Sequence, residues 1–422
     1  MPVAEDTGVT GVNTRFSVSR VRRKKVEKRV NHRAVCDILT GVMSLTGTPF
    51  FLATIALAMV SVLLPLLLWG RVRGPAVVRG TSRLAMVVLA QGAAVLSVFV
   101  VVNNTNGLYD SWADLLGTGH HVVAAPDLGR DGLGSHKDLA NEPKVVQEFD
   151  PVHDARMGRN VRVTQLRGRV SGVRGEVYVW LPPQYDQPAF RHQRFPVVEL
   201  LGGFPGSAKA WFSSLRVQSQ LEAGMRRGEI APFILVEPRT NLLAGQDTGC
   251  ANVPGVVDAE SWLSVDVRQM VIDTFRARGG AKGWAVAGYS AGAHCAVKMA
   301  LAHPDRYRAA VSLSGYNDPA AERVSLTARA PELRRANNPL WILRHATTPP
   351  RVALYLSGGR DDGYRDGLAL RRAAVPPTRV VVARVTGPHT VGLWKRQVPQ
   401  VFRWLTAELS PWAGRVAPAK GV

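Results

Sequence analysis

The chain has 422 residues, of which 46% are hydrophobic, so it is long enough for two or three domains and can bury a sizeable core. Its formal net charge of +21 would suit a nucleic-acid partner. The excess is divided, however, between a basic N-terminal stretch and scattered arginines with no nucleic-acid module around them, which excludes nucleic acid as the main partner.

Residues 1–33 form a basic tail whose densest run, Arg20 to Arg33, lies just before an apolar block, where a juxtamembrane segment meets anionic lipid. Within a membrane region spanning 34–102, Pro49–Trp69 and Leu84–Val102 carry no charged residue. At about 1.5 Å per residue each is long enough to cross a hydrocarbon core, so two transmembrane helices are predicted. A cleaved signal peptide fits worse, because the first run is too long and a second follows. Orientation is contradictory: nine Lys/Arg lie between Arg15 and Arg33, and Arg71, Arg73, Arg79 and Arg83 lie between the two spans. Those regions must face opposite sides, so the positive-inside rule pulls both ways. Entry of 34–48 into the membrane, or a start at Met43 instead of Met1, would relieve the conflict.

Residues 103–150 read as a connector, with a short amphipathic helix predicted over Tyr109–Leu116. His120 and His121 lack a spaced third ligand, so no metal site is expected there. A catalytic domain is placed over 151–410, followed by a tail at 411–422. Strands are predicted at Val161–Leu166, Glu176–Leu181, Phe195–Leu201, Pro232–Val236, Trp284–Ala287, Ala309–Leu313, Val352–Leu356 and Arg379–Val385. Helices are predicted at Ser207–Arg227, Leu263–Arg278, Ala291–Ala302 and Val391–Leu409. Apolar runs alternating with helices imply an α/β fold, a mainly parallel sheet covered on both faces. Of the three cysteines, Cys36, Cys250 and Cys295, no pair has metal-ligand spacing. Cys295 falls on a buried helix face, and a Cys250–Cys295 bridge is left open.

The sharpest chemical signal is Gly288-Tyr289-Ser290-Ala291-Gly292, with a buried strand before it and an Ala-rich helix after it. A serine nucleophile needs a tight turn that lifts its hydroxyl above the sheet, and flanking glycines give that turn room. The helix start beneath it can stabilise an oxyanion through the Ala291 N–H. A serine hydroxyl also needs a base, and the hydrolase chain order is Ser, acid, His. The strand at 352–356 ends in Gly359-Arg360-Asp361-Asp362, and the last predicted strand is followed by His389. Asp361 is favoured over its neighbour Asp362 as the acid. The Gly202-Gly203-Phe204 loop after the strand at 195–201 is the candidate source of a second oxyanion donor.

From about 160 to 410 the chain resembles a family of esterases with the α/β-hydrolase fold. That family includes esterase D (S-formylglutathione hydrolase), feruloyl esterase domains and the antigen 85 mycolyltransferases. The resemblance is carried by VYVWLPPQYD, FPVVELLGGFPGS, GWAVAGYSAGAHCAVKMALAHPDRYRAAVSLSGY, and YLSGGRDDGY with GPHTVGLWKRQVP. It implies Ser290 as nucleophile, His389 as base and Asp361 as its orienter, with the Phe204 and Ala291 amides as oxyanion hole. Many relatives carry His-Gly where this chain has Gly202-Gly203. The two apolar spans followed by NNTNGLYDSWADLLG resemble actinobacterial members whose catalytic domain lies outside the membrane. The expected function is a membrane-anchored serine esterase acting on an ester or acyl-lipid substrate without cofactor. Two alternatives stand beside it: transfer of the acyl group to a sugar or lipid alcohol, or an idle envelope protein using the fold for binding.

Overall fold

The computed structural model describes residues 44–118 and 143–409. His120, His121, Met43, Cys36 and the basic tail lie outside the described residues, as do residues 410–422.

The chain separates into two compact units, residues 1–100 and 101–422. In the first, helix Thr48–Leu68 corresponds closely to the predicted span. The second apolar helix, Ala76–Asn106, is longer than predicted at 31 residues and continues into the second unit. Arg79 and Arg83 therefore lie on its first turns, leaving only Arg71 and Arg73 in the connection. Both helices are long and apolar enough to cross a membrane.

In the second unit nine strands form one sheet, ordered β1-β2-β3-β5-β4-β8-β9-β10-β11. β1 (Asp150–Pro151), β2 (Val161–Arg167) and β3 (Arg174–Trp180) run antiparallel at one edge. β3 also pairs antiparallel with β5 (Ile234–Pro238). From β5 onward all pairings are parallel, through β4 (Val197–Leu201), β8 (Trp284–Tyr289), β9 (Ala309–Leu313), β10 (Ala353–Gly358) and β11 (Arg379–Arg384). A separate antiparallel pair, β6 (Asn252–Val253) with β7 (Val257–Asp258), was not foreseen, since two-residue strands carry no periodicity.

The central strands read as unbroken apolar runs because both of their faces are covered. Alternate residues show it. Trp284 and Val286 of β8, with Leu354 and Leu356 of β10, join one buried cluster with Cys295 and Met299. Ala285, Ala287 and Tyr289, with Ala353 and Tyr355, join a second cluster with Leu221 and Phe402. Helix Ala291–Ala302 therefore covers one face, and helices Val217–Arg226 and Val391–Glu408 cover the other. The helix predicted at Ser207–Arg227 is broken in two, Ala210–Ser213 and Val217–Arg226, with Arg216 at a left-handed φ of 52° between them. The segment predicted as Leu263–Arg278 begins as a π-helical turn at Trp262–Val267 and ends at Thr274. Helix Tyr364–Ala373 was missed; it carries basic residues in its last turn and buries only Gly367 and Leu370.

Candidate active site

The parallel strands converge on one edge, where the loops after β4, β8, β10 and β11 meet. Ser290 follows β8 at φ 55° and ψ −126°, a conformation that costs on the order of 1–3 kcal/mol and persists only where surroundings impose it. Its N–H donates to the Leu313 carbonyl at 2.9 Å, which ties the turn to β9. The glycines on either side are sterically required. A Cβ at Gly288 would run into the Gly292 carbonyl, and one at Gly292 into the Leu201 and Gly202 carbonyls. The turn thus packs backbone against backbone, which only glycine permits.

His389 lies in the loop after β11. Its Nε2 is 2.9 Å from Ser290 Oγ and its Nδ1 is 2.8 Å from Asp362 Oδ1. Of the two neighbours it is Asp362, and not the favoured Asp361, that meets the imidazole: Asp361 is turned outward, largely exposed, and paired with Arg365 at 2.8 Å one helical turn on. The loop decides between the two neighbours. Asp362 N–H bonds back to the Gly359 carbonyl at 3.1 Å, and Gly363 takes a left-handed φ of 91°, so Asp362 faces the imidazole while Asp361 stays at the tip. Burial pushes the Asp362 carboxyl up, but the hydrogen bond and charge of His389, with help from the Ser314 hydroxyl, outweigh it and hold the group below its ordinary value.

Two further side chains brace this arrangement. The Trp394 and His389 rings meet nearly at right angles with centroids 4.9 Å apart, and Trp394 stacks on Tyr289 at 4.5 Å. Its Nε1–H donates to Ser314 Oγ at 3.2 Å, and Ser314 itself holds a left-handed φ of 58° just past β9. Neither residue was singled out from sequence, although both lie inside the quoted motifs, because tertiary folding alone brings positions 314, 362 and 394 together. His294, four residues after Ser290, is engaged elsewhere. It is buried, its Nδ1 is bonded to the Tyr316 carbonyl at 2.9 Å, and burial pulls its pKa down to about 4.

The loop after β4 passes directly over Ser290: a Cβ on Gly203 would stand 3.1 Å from Ser290 Cβ and 3.0 Å from the Tyr289 ring. Asn241 holds this loop by donating to the carbonyls of Gly203 and Gly206. Phe204 is the next residue in the loop. Ala291 opens its helix, so its N–H has no partner within that helix. On the far side of the same helix Cys295 is bridged to Cys250, with Cα atoms 5.7 Å apart, which answers the question the spacing left open. Among the described residues no cluster of His, Cys, Asp or Glu could hold a metal ion.

Comparison with known proteins agrees with this architecture. A ferulic acid esterase is 21% identical, with a TM-score of 0.51 over 59% of this chain and 98% of that one. An S-formylglutathione hydrolase from Agrobacterium tumefaciens is 15% identical, with a TM-score of 0.50 over 62% and 100%. At these identities the likeness is one of fold. An uncharacterized protein of Corynebacterium glutamicum is 24% identical over 254 residues, 54% of this chain, and the chain spans 56% of that relative's length. The model of the family described as "Putative esterase" matches residues 171–405, more than half of the chain, and takes in Ser290, Asp362 and His389. The chain belongs to that family of α/β hydrolases.

Proposed function

We propose that this protein is a membrane-anchored serine esterase in which Ser290 is the nucleophile, His389 the general base and Asp362 the residue that orients the imidazole. The observation that carries the reading is the unbroken hydrogen-bond chain from Ser290 Oγ through both ring nitrogens of His389 to Asp362. Asp362 accepts from Nδ1, which leaves Nε2 free to take the serine proton as Oγ attacks the ester carbonyl. The tetrahedral oxyanion would be met by the N–H groups of Ala291 and Phe204. Collapse returns the proton from His389 to the departing alcohol and leaves an acyl-Ser290 ester. Water then gives its proton to the same nitrogen, attacks the acyl carbon and releases the acid and free Ser290.

Nearly half of the His389 side chain is exposed, so the base can be reached by water or by a second alcohol. Acyl transfer to an alcohol is the same chemistry with a different final acceptor. The two apolar helices support anchoring in a membrane. The Cys250–Cys295 bridge supports an extracytoplasmic catalytic domain, since such bonds persist in oxidising compartments. That argument bears on the side of the membrane independently of the contradictory charge pattern.

The test is nitrophenol release from short and long p-nitrophenyl esters by the full chain beside its Ser290→Ala variant. Release that the variant abolishes is the expected result, and equal release by both would sink the assignment. An added alcohol that speeds turnover and captures the acyl group would mark transfer.

A further inference from the structure

A cleft of about 320 Å³ opens beside the loop that follows β4, and one of its walls comes from outside the residues matched by the family model. Phe204, Pro205 and Gly206, which directly follow the Gly203 that approaches Ser290, line it together with Leu243 and Val324. The remaining wall is Leu108, Tyr109 and Ala113, from the segment directly following the second apolar helix. The volume lies at the lower end of the usual range for small-molecule sites.

This segment is held at several points. The Gly107 carbonyl accepts from Ser207 N–H at 2.7 Å, and Ser207 Oγ donates to Asp110 Oδ1 at 2.6 Å. Lys209 adds an ion pair to Asp110 at 3.3 Å. Ser111 caps the short helix Trp112–Leu116, and a Cβ on Gly117 would stand 3.0 Å from Ala244 Cβ, so the wall closes against the loop beyond β5. The charged groups at the cleft are turned to one another: Asp114 pairs with Arg239 at 3.2 Å, and Arg239 also pairs with Glu176. Asn241 is engaged with the Gly203 and Gly206 carbonyls. What the cleft offers a ligand is therefore mainly apolar surface.

We propose that residues 107–117 form a built-in wall of the acyl pocket, so that Leu108, Tyr109 and Ala113 set which acyl chains the enzyme accepts. The inference rests on the reading of Ser290 as nucleophile. An ester whose carbonyl oxygen meets the Phe204 N–H must place one of its two arms beside that loop, and the cleft begins at Phe204. An apolar acyl arm suits this lining.

Mirror esters of equal size separate the two arms. Methyl hexanoate carries the long chain on the acyl side and hexyl acetate carries it on the alcohol side. Ala113→Trp, in the full chain, is expected to lower the kcat/KM ratio of methyl hexanoate to hexyl acetate by about tenfold or more, because it fills the cleft. Val324→Trp, which narrows the same cleft from a lining residue outside that segment, is expected to shift the ratio the same way. An unchanged ratio, or one that rises, overturns the proposal; a rise would mean that the cleft holds the alcohol. A second arm does not depend on turnover. Hexanoate binding to the Ser290→Ala protein, measured by calorimetry, should weaken at least about tenfold when Ala113→Trp is added. Absence of Ser290-dependent hydrolysis with Ala113-sensitive hexanoate binding would refute the esterase reading and uphold the pocket. Hydrolysis with Ala113-insensitive binding and ratio would do the reverse.

Discussion

Ser290, His389 and Asp362 form one hydrogen-bonded chain, so the proposed role of each depends on another holding it in place. Asp362→Asn keeps the shape of the carboxylate but removes its charge and favours the wrong imidazole tautomer, so kcat is expected to fall about 10³–10⁴-fold in steady-state assays. Asp361→Asn at the adjacent, outward-facing position should leave kcat within about twofold. Equal losses from the two variants would reverse the assignment. The depressed pKa of Asp362 also has a sign. Its contribution to stability is present above the ordinary carboxylate range and is lost as pH falls through its lower folded value. The choice between Asp361 and Asp362 could not be read from the sequence, because both follow the same strand and only the loop's hydrogen bonding turns one inward. The glycines at 288 and 292 could be read, since a strained turn between strand and helix tolerates nothing larger.

The helix Ala291–Ala302 follows the Ser290 turn directly, and its outer side is fixed by buried polar contacts. Lys298 is almost fully buried, with Nζ 2.8 Å from Glu260 Oε2, 2.9 Å from Asn337 Oδ1 and 2.5 Å from the Cys250 carbonyl. Burial pushes the Glu260 carboxyl up, but the charges and hydrogen bonds of Lys298 and His303 outweigh it and hold the group well below its ordinary value. Glu260→Gln leaves Lys298 buried without its counter-charge and should cost about 3–5 kcal/mol in chemical denaturation. Loss of much less would show that water reaches the lysine. The Cys250–Cys295 bridge closes a loop of 45 residues against the same helix. Replacing both cysteines with serine should cost up to about 4 kcal/mol on the chain-entropy account, read as a lowered Tm. Periodicity located this helix correctly at Ala291–Ala302, yet it missed the helix Tyr364–Ala373, whose exposed, Arg-rich surface resembles a loop in composition.

At the scale of the whole molecule, an apolar N-terminal unit precedes an esterase-family domain. If the catalytic domain lies outside the cytoplasm, alkaline phosphatase fused after residue 422 should be active in cells, whereas a fused green fluorescent protein should stay dark; the opposite pattern would place the domain inside. The sequence by itself determined the two apolar spans, the α/β class, the Gly-x-Ser-x-Gly turn between strand and helix, and the histidine after the last strand. Those features are local: length and absence of charge, a run of apolar residues, a glycine on each side of a serine. Only the tertiary structure decided which aspartate faces His389, that Ser314 and Trp394 brace the pair, and that Cys250 meets Cys295. It also decided that residues 107–117, in chain order no more than a connector, wall a cleft beside Phe204. These depend on residues as far apart in the chain as Leu108 and Val324 being brought together, and no local pattern records such a meeting.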